Sequence, residues 1–355
     1  MLNKPDNFAI FDGHNDLLTR LWLSHHPDPI AEFFEGRATR HLDLARCLQS
    51  GFRGGLFAIF LPPFSYLKQH HPEKLSSPHL DDFSEDEVEK ICLEQLRIAK
   101  ALVLRSNDQL QLCSSFSEIQ QSLDQQKISV VLHLEGAECL QQHPDLLDHF
   151  YQHGLRSIGP LWNRPSAFGH GLNSPFPHLP QQRNPQRGLT SAGKTLIHRC
   201  EQKKMLIDVS HMNEDAFWDT AELIQQPLIA THSNVHTLSH QARNLTDQQL
   251  YAIRDSNGMV GLNFDVAFLR ADGQRNTNTS IDTMLNHIEY LIEKMGEQHV
   301  GFGSDFDGCL LSDEVKDVTG LLKIIEKMQQ RNYSTELIEQ ICHKNWMNTL
   351  KRIWG

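Results

Sequence analysis

The chain has 355 residues, too many for one small domain and a comfortable length for a single α/β barrel with insertions. Its net charge of −11 disfavours a nucleic-acid-binding surface, and no stretch approaches the ~20 apolar residues of a membrane span. The seven cysteines are scattered with no CxxC pair, which excludes a zinc ribbon and reads as reduced, mostly buried thiols.

The first residues are polar and run straight into a short apolar segment, without the pattern of a secretory leader, so a cytoplasmic location is expected. Eight short apolar runs follow: residues 8–12 (FAIFD), 55–60 (GLFAIF), 128–134 (ISVVLHL), 155–161 (LRSIGPL), 205–209 (MLIDV), 227–230 (PLIA), 259–264 (MVGLNF) and 299–302 (HVGF). Continuous rather than alternating hydrophobicity suits parallel strands buried on both faces. Between them, apolar residues recur at helical spacing over 85–104, 190–203 (with Thr190 or Ser191 as N-cap), 214–225, 246–255, 281–295 and 335–353. Eight strands alternating with helices predict a (β/α)8 TIM barrel, read as a single domain over residues 1–355. Its long βα-loop insertions fall at 17–53, 62–127 and 163–188. The last is rich in Pro, Gly and Asn, and is expected to serve the active face.

Histidine is plentiful, with 21 copies, so the question is which few converge. Five strands run into a His, Asp or Glu at the carboxyl end: Asp12-Gly13-His14-Asn15-Asp16, His133-Leu134-Glu135, Asp208-Val209-Ser210-His211, Thr231-His232 and Ser304-Asp305-Phe306-Asp307. In a barrel these ends form one ring, where catalytic groups gather. His14 and Asp16 are two apart, so in extended chain both face one way and can reach one ion. His211 and His232 come from neighbouring strands and can meet at a second ion. Glu135 stands between the pairs, with two oxygens able to bridge them. Imidazole and carboxylate ligands suit Zn²⁺, with Mn²⁺ or Co²⁺ as alternatives. The chemistry so served is attack of a metal-bound hydroxide on a carbonyl. Asp305 is a sixth ligand or the general base, with Asp307 as competitor. His133 is expected lower in the barrel as packing, and Asp12 and Asp208 as partners behind the ligands. Arg243, in the loop after the sixth strand, has the planar fork that suits a substrate carboxylate.

The segments FDGHNDLL, HLEGAE, LIDVSHMNEDAFWD, THSNVHTLSHQARNLTD and VGFGSDFDG, in that order, resemble the membrane (renal) dipeptidase family, metallopeptidase family M19 of the amidohydrolase superfamily. The resemblance runs through most of the chain. It implies a TIM barrel with two zinc ions, His14 and Asp16 on one, His211 and His232 on the other, bridged by Glu135 and a hydroxide. Asp305 falls on the acidic residue beside the bridging water and the substrate amine. Arg243 falls on the arginine that binds the substrate's terminal carboxylate. The implied reaction is hydrolysis of a dipeptide with a free amino end, a D-residue being tolerated at the carboxyl-terminal position.

Two departures from the family pattern stand out. Trp162 occupies the place of a histidine that contacts the reacting carbonyl in the animal enzymes, and an indole N–H donates one hydrogen bond but cannot become cationic. The chain also ends in Arg352-Ile353-Trp354-Gly355, without the hydrophobic tail of the lipid-anchored animal forms. A bacterial-type member is therefore expected, with a small dipeptide as partner, no nucleic acid, no membrane, and homodimerisation left open. The nearest rival reading keeps the two metals and changes the substrate to N-acyl amino acids, lactams or phosphoesters. A non-catalytic metal-binding protein is the rival from another class, and the intact His/Asp/Glu set argues against it.

Overall fold

Each apolar run forms a strand, because a segment without polar alternation can bury both faces only between neighbouring strands and covering helices. In the computed structural model, which describes residues 8–36, 40–172, 174–180 and 183–355, nine strands form. They are β1 (Ile10–Asn15), β2 (Phe52–Phe60), β3 (Leu110–Leu112), β4 (Ile128–Glu135), β5 (Leu155–Gly159), β6 (Leu206–Ile207), β7 (Ile229–Ala230), β8 (Met259–Leu262) and β9 (Val300–Phe302). Eight of them pair in parallel in the order β6-β5-β4-β2-β1-β9-β8-β7. A single bridge, Asp208 to Ile229, brings β6 against β7, so the sheet closes into the expected TIM barrel. The ninth, β3, was not expected. It pairs with the first residues of β4, Ile128 to Val130, while β5 pairs only from Leu132 onward. The start of the chain, on which the leader expectation rests, lies outside the described residues. No helix among the described residues is long and apolar enough to cross a membrane.

The helices start where side chains cap them. Thr190 accepts the Gly193 N–H at 3.0 Å and opens helix Ser191–Gln202. Thr246 and Gln249 cap each other's backbone ahead of Asp247–Asp255. The long connections carry helices of their own, Leu17–Trp22, Pro29–Glu35 and Leu44–Gln49 in the first and Phe64–His70, Glu85–Arg105 and Phe116–Asp124 in the second. The expected helix 335–353 is instead Thr335–Glu339, a π turn at Gln340–Lys344, and Asn345–Trp354. That last helix closes the barrel floor. Trp346 is fully buried among Phe11, Leu56, Val131, Leu206, Ile229 and Met259.

The seam between β6 and β7 is unusual. Beyond the single bridge, the Asp208 carboxylate replaces the ladder. Its Oδ1 accepts the backbone N–H groups of Ser210 and Thr231 at 3.0 and 2.9 Å, and its Oδ2 accepts the Thr231 hydroxyl at 2.6 Å. β7 then leans into the bore. A Cβ added to Gly13, Gly261 or Gly303 would collide with the Thr231 carbonyl oxygen, so glycine at these positions is what lets β7 lie there.

Candidate active site

Side chains two apart on a strand share a face, so Val131, His133 and Glu135 climb one face of β4 from the apolar floor to the mouth. Glu135 ends that climb. Its Oε1 lies 2.8 Å from His211 Nε2 and 3.3 Å from His232 Nε2, and its Oε2 lies 3.7 Å from His14 Nε2. His14 Nε2 is in turn 3.4 Å from Asp16 Oδ2. The His14 and His232 rings stack at 3.8 Å. The five residues expected to be ligands therefore meet, though not by the expected route for Asp16. β1 runs through His14 to Asn15, and Asp16 is the N-cap residue of the next helix at φ −104° and ψ 23°. The turn of the chain, rather than an extended i, i+2 pair, brings its carboxylate back to His14.

The surrounding hydrogen bonds fix which nitrogen faces the centre. Thr231 gives its single hydroxyl proton to Asp208, so at 2.8 Å it accepts from His232 Nδ1–H. Asn163 Oδ1 accepts from His211 Nδ1–H at 2.8 Å. Both Nε2 atoms are thereby acceptors, yet they sit 3.1 Å from each other and face the Glu135 carboxylate. Burial, then the Arg243 charge at His211 and the His14 charge at His232, holds both imidazoles well below their ordinary pKa, so they stay neutral. Burial opposes a charge on His14, but Glu135, Asp16 and Asp305 overcome it and raise its pKa to about 10. Neither His14 nitrogen has a hydrogen-bond partner although both are buried. The two neutral Nε2 acceptors of His211 and His232, facing an acceptor carboxylate, are costly to bury unless a cation joins them. The set fits a divalent ion.

Asp305 stands beside the His14–Asp16 pair. Its Oδ2 accepts the Asn263 amide at 2.9 Å, and burial next to Asp16 pushes its pKa up to about 7. Asp305 and Asp307 hold φ of 60° and 68°, a region that costs a non-glycine residue roughly 1–3 kcal/mol. Asp307 is drawn away from the centre. Its Oδ1 accepts the His41 N–H and its own N–H donates to His41 Nδ1, each at 2.8 Å. His133 is packed lower, bonded to Ser157 Oγ at 2.8 Å, and Asp12 accepts the Ser304 N–H and hydroxyl at 2.7 and 2.8 Å.

A cavity of about 460 Å³ opens above these groups. Trp162 lines it, with its ring 5.1 Å from Phe60 and 5.9 Å from His211. Arg243 also lines it, but its guanidinium mostly serves the backbone. It donates to the Ser210 carbonyl, to the His232 carbonyl at 2.9 Å and to Ser233 Oγ at 3.2 Å, leaving Nε–H buried without a partner. It thus ties together the two segments that carry His211 and His232. Asn163 and Asn263 were missed at the sequence level. Each sits just past the end of a strand or apolar run at the same ring, a signal lost by counting only His, Asp and Glu.

The family model of membrane dipeptidase, peptidase family M19, matches residues 5–354. The chain belongs to this family. The M19 chain is 60% identical over 292 residues to an Acinetobacter calcoaceticus protein described as an uncharacterised protein in the PQQ-III 3′ region, covering 82% of this chain and 91% of that one. A metallopeptidase from Rhodobacter sphaeroides, solved with a phosphinate mimic of the dipeptide L-Ala-D-Ala, superposes with a TM-score of 0.90 at 38% identity, covering 98% of this chain and 100% of that one. A second solved M19 dipeptidase gives a TM-score of 0.88 at 38% identity, over 98% and 99% of the two chains. The M19 chain is accordingly a metallo-dipeptidase, a peptide hydrolase whose family membership implies a metal cofactor.

Proposed function

We propose that this dipeptidase is a single-domain enzyme with two zinc ions, one held by His14 and Asp16, the other by His211 and His232, with Glu135 bridging them. The observation that carries this reading is the division of Glu135. One oxygen faces the His211–His232 pair and the other faces His14. When bound, the metals polarise the scissile carbonyl and make hydroxide available as the nucleophile near neutral pH.

The remaining steps belong to the chain's own side chains. Asn263 occupies Asp305 Oδ2, which leaves Oδ1 to hold a proton from the attacking water and pass it to the leaving nitrogen. Arg243 supplies positive charge, and an unpaired Nε–H, for the substrate carboxylate. Trp162 covers one side of the cavity and excludes water from the reacting bond. The substrate class is a dipeptide with a free amino end and a tolerated D-residue at the carboxyl-terminal position. The L-Ala-D-Ala mimic bound by the Rhodobacter enzyme supports that choice.

The test is coupled. Metals are counted per chain, and L-L and L-D dipeptides are assayed before and after chelation. At least two zinc equivalents, with L-D turnover lost on chelation and restored by zinc, is the expected result. One equivalent removes the bridged pair, and turnover confined to L-L peptides removes the stereochemical assignment.

A further inference from the structure

A second convergence of ligand-type side chains lies outside the ring of strand ends. His25 follows helix Leu17–Trp22 in the connection after β1. His71 and Glu73 follow helix Phe64–His70 in the connection after β2. The two imidazoles stack at 5.3 Å with an interplanar angle of 19°. Both direct Nδ1 at one oxygen, Glu73 Oε1, at 3.6 Å from His25 and 3.5 Å from His71. All three ligand atoms fall within 4.8 Å of one another.

These separations are too long for hydrogen bonds. They match the spacing of adjacent ligands around a tetrahedral ion, which at metal–ligand distances of about 2.0–2.1 Å is about 3.3–3.4 Å. His71 adds a further detail. Its Nδ1 is buried and has no hydrogen-bond partner, although the cluster as a whole opens to solvent. Two neighbouring cations are engaged elsewhere, Arg40 with Glu32 and Lys74 over the Trp22 ring at 5.3 Å. They do not compete for the Glu73 carboxylate.

We propose that His25, His71 and Glu73 form a separate surface site for a divalent transition metal of the zinc class, with water completing its shell. Two imidazoles and one carboxylate are a donor set that Zn²⁺ accepts readily, with Cu²⁺ as the stronger-binding competitor on the general affinity order. The site joins two walls of the active cavity. Arg20 and Leu23 line that cavity from the first connection, and Pro62, Pro63 and Tyr66 from the second. An ion here clips the two connections together. Because its ligands come from separate segments, it binds the folded chain preferentially and stabilises it by mass action.

Full-length protein, stripped and then equilibrated by dialysis against buffered Zn²⁺, tests this directly. Wild type, His25→Ala and Glu73→Gln are compared by elemental analysis and thermal unfolding. The substituted side chains are 68% and 47% exposed, so neither change threatens folding. Wild type is expected to hold one zinc equivalent more than either variant, and to gain more Tm from zinc, while kcat on dipeptides is the same in all three. Equal zinc equivalents in the three proteins would overturn the site. So would an extra equivalent that persists in the His25→Ala/Glu73→Gln double variant.

Discussion

At the floor of the barrel, Phe11, Leu56, Val131, Leu206, Ile229 and Met259 close around Trp346 and Leu350. At the mouth, His14, Asp16, Glu135, His211, His232 and Asp305 close around one another. The floor is satisfied by its own contacts, and even its one polar atom, Trp346 Nε1, donates to the Phe302 carbonyl at 2.9 Å. The mouth is not, for both His14 nitrogens lack partners. Dispersion and burial make the floor a source of stability that tolerates volume-conserving exchange. The mouth gathers like-charged and acceptor groups that lower stability until a cation joins them. Position along the same strands thus decides whether a residue packs the fold or joins the candidate site.

Three changes sharpen the contrast. The largest effect belongs to the mouth. Asp305→Asn keeps the contact to Asn263 but cannot carry a proton, so kcat should fall by about 10²–10⁴-fold with metal content and Tm held. Steady-state kinetics beside elemental analysis reads both, and an unchanged kcat would take Asp305 out of the reaction. The reverse pattern belongs to the floor. Trp346→Ala should cost about 3–5 kcal/mol in urea unfolding and leave the kcat of the folded enzyme nearly untouched.

The smallest effect lies behind the loop after β7 and touches neither end. His287 is fully buried, accepts the Val235 N–H at 3.1 Å and donates to the Leu269 carbonyl at 2.9 Å. Burial lowers its pKa from 6.5 to about 4, against the opposing pull of the Leu269 carbonyl. Between those values the unfolded chain binds the extra proton. The stabilisation by neutral His287 is therefore complete above pH 6.5 and is lost as pH falls toward 4. Over that window it amounts to at most about 3 kcal/mol. Unfolding of the metal-free enzyme across pH should show this slope, and His287→Gln, whose amide can replace both bonds, should flatten it.

The eight barrel strands were legible because each is apolar on both faces, and the convergence of candidate ligands because five of those strands end in His, Asp or Glu. What escaped had physical reasons. β3 is only Leu-Gln-Leu, too short and too polar at its centre to stand out from a loop. β6 and β7 shrink to two residues each because the Asp208 side chain takes over their ladder, and periodicity carries no sign of such a substitution. β1 runs three residues further than its apolar stretch, since His14 and Asn15 are polar residues in strand conformation. Arg243 was read for its outward chemistry. Its grip on the carbonyls of Ser210 and His232 depends on a fold that brings residues 33 and 11 positions apart together.

The Thr231 carbonyl, wedged against three glycines above a sealed floor, gives the barrel no back door. One dipeptide goes in and two amino acids must come out, all by the same opening. The first product to depart must pass the second, and a free amino acid in the medium can re-enter to occupy the half of the site its predecessor has just left. Inhibition by the enzyme's own products is the outcome expected of such a cul-de-sac, and steady-state rates measured with added free amino acids check it.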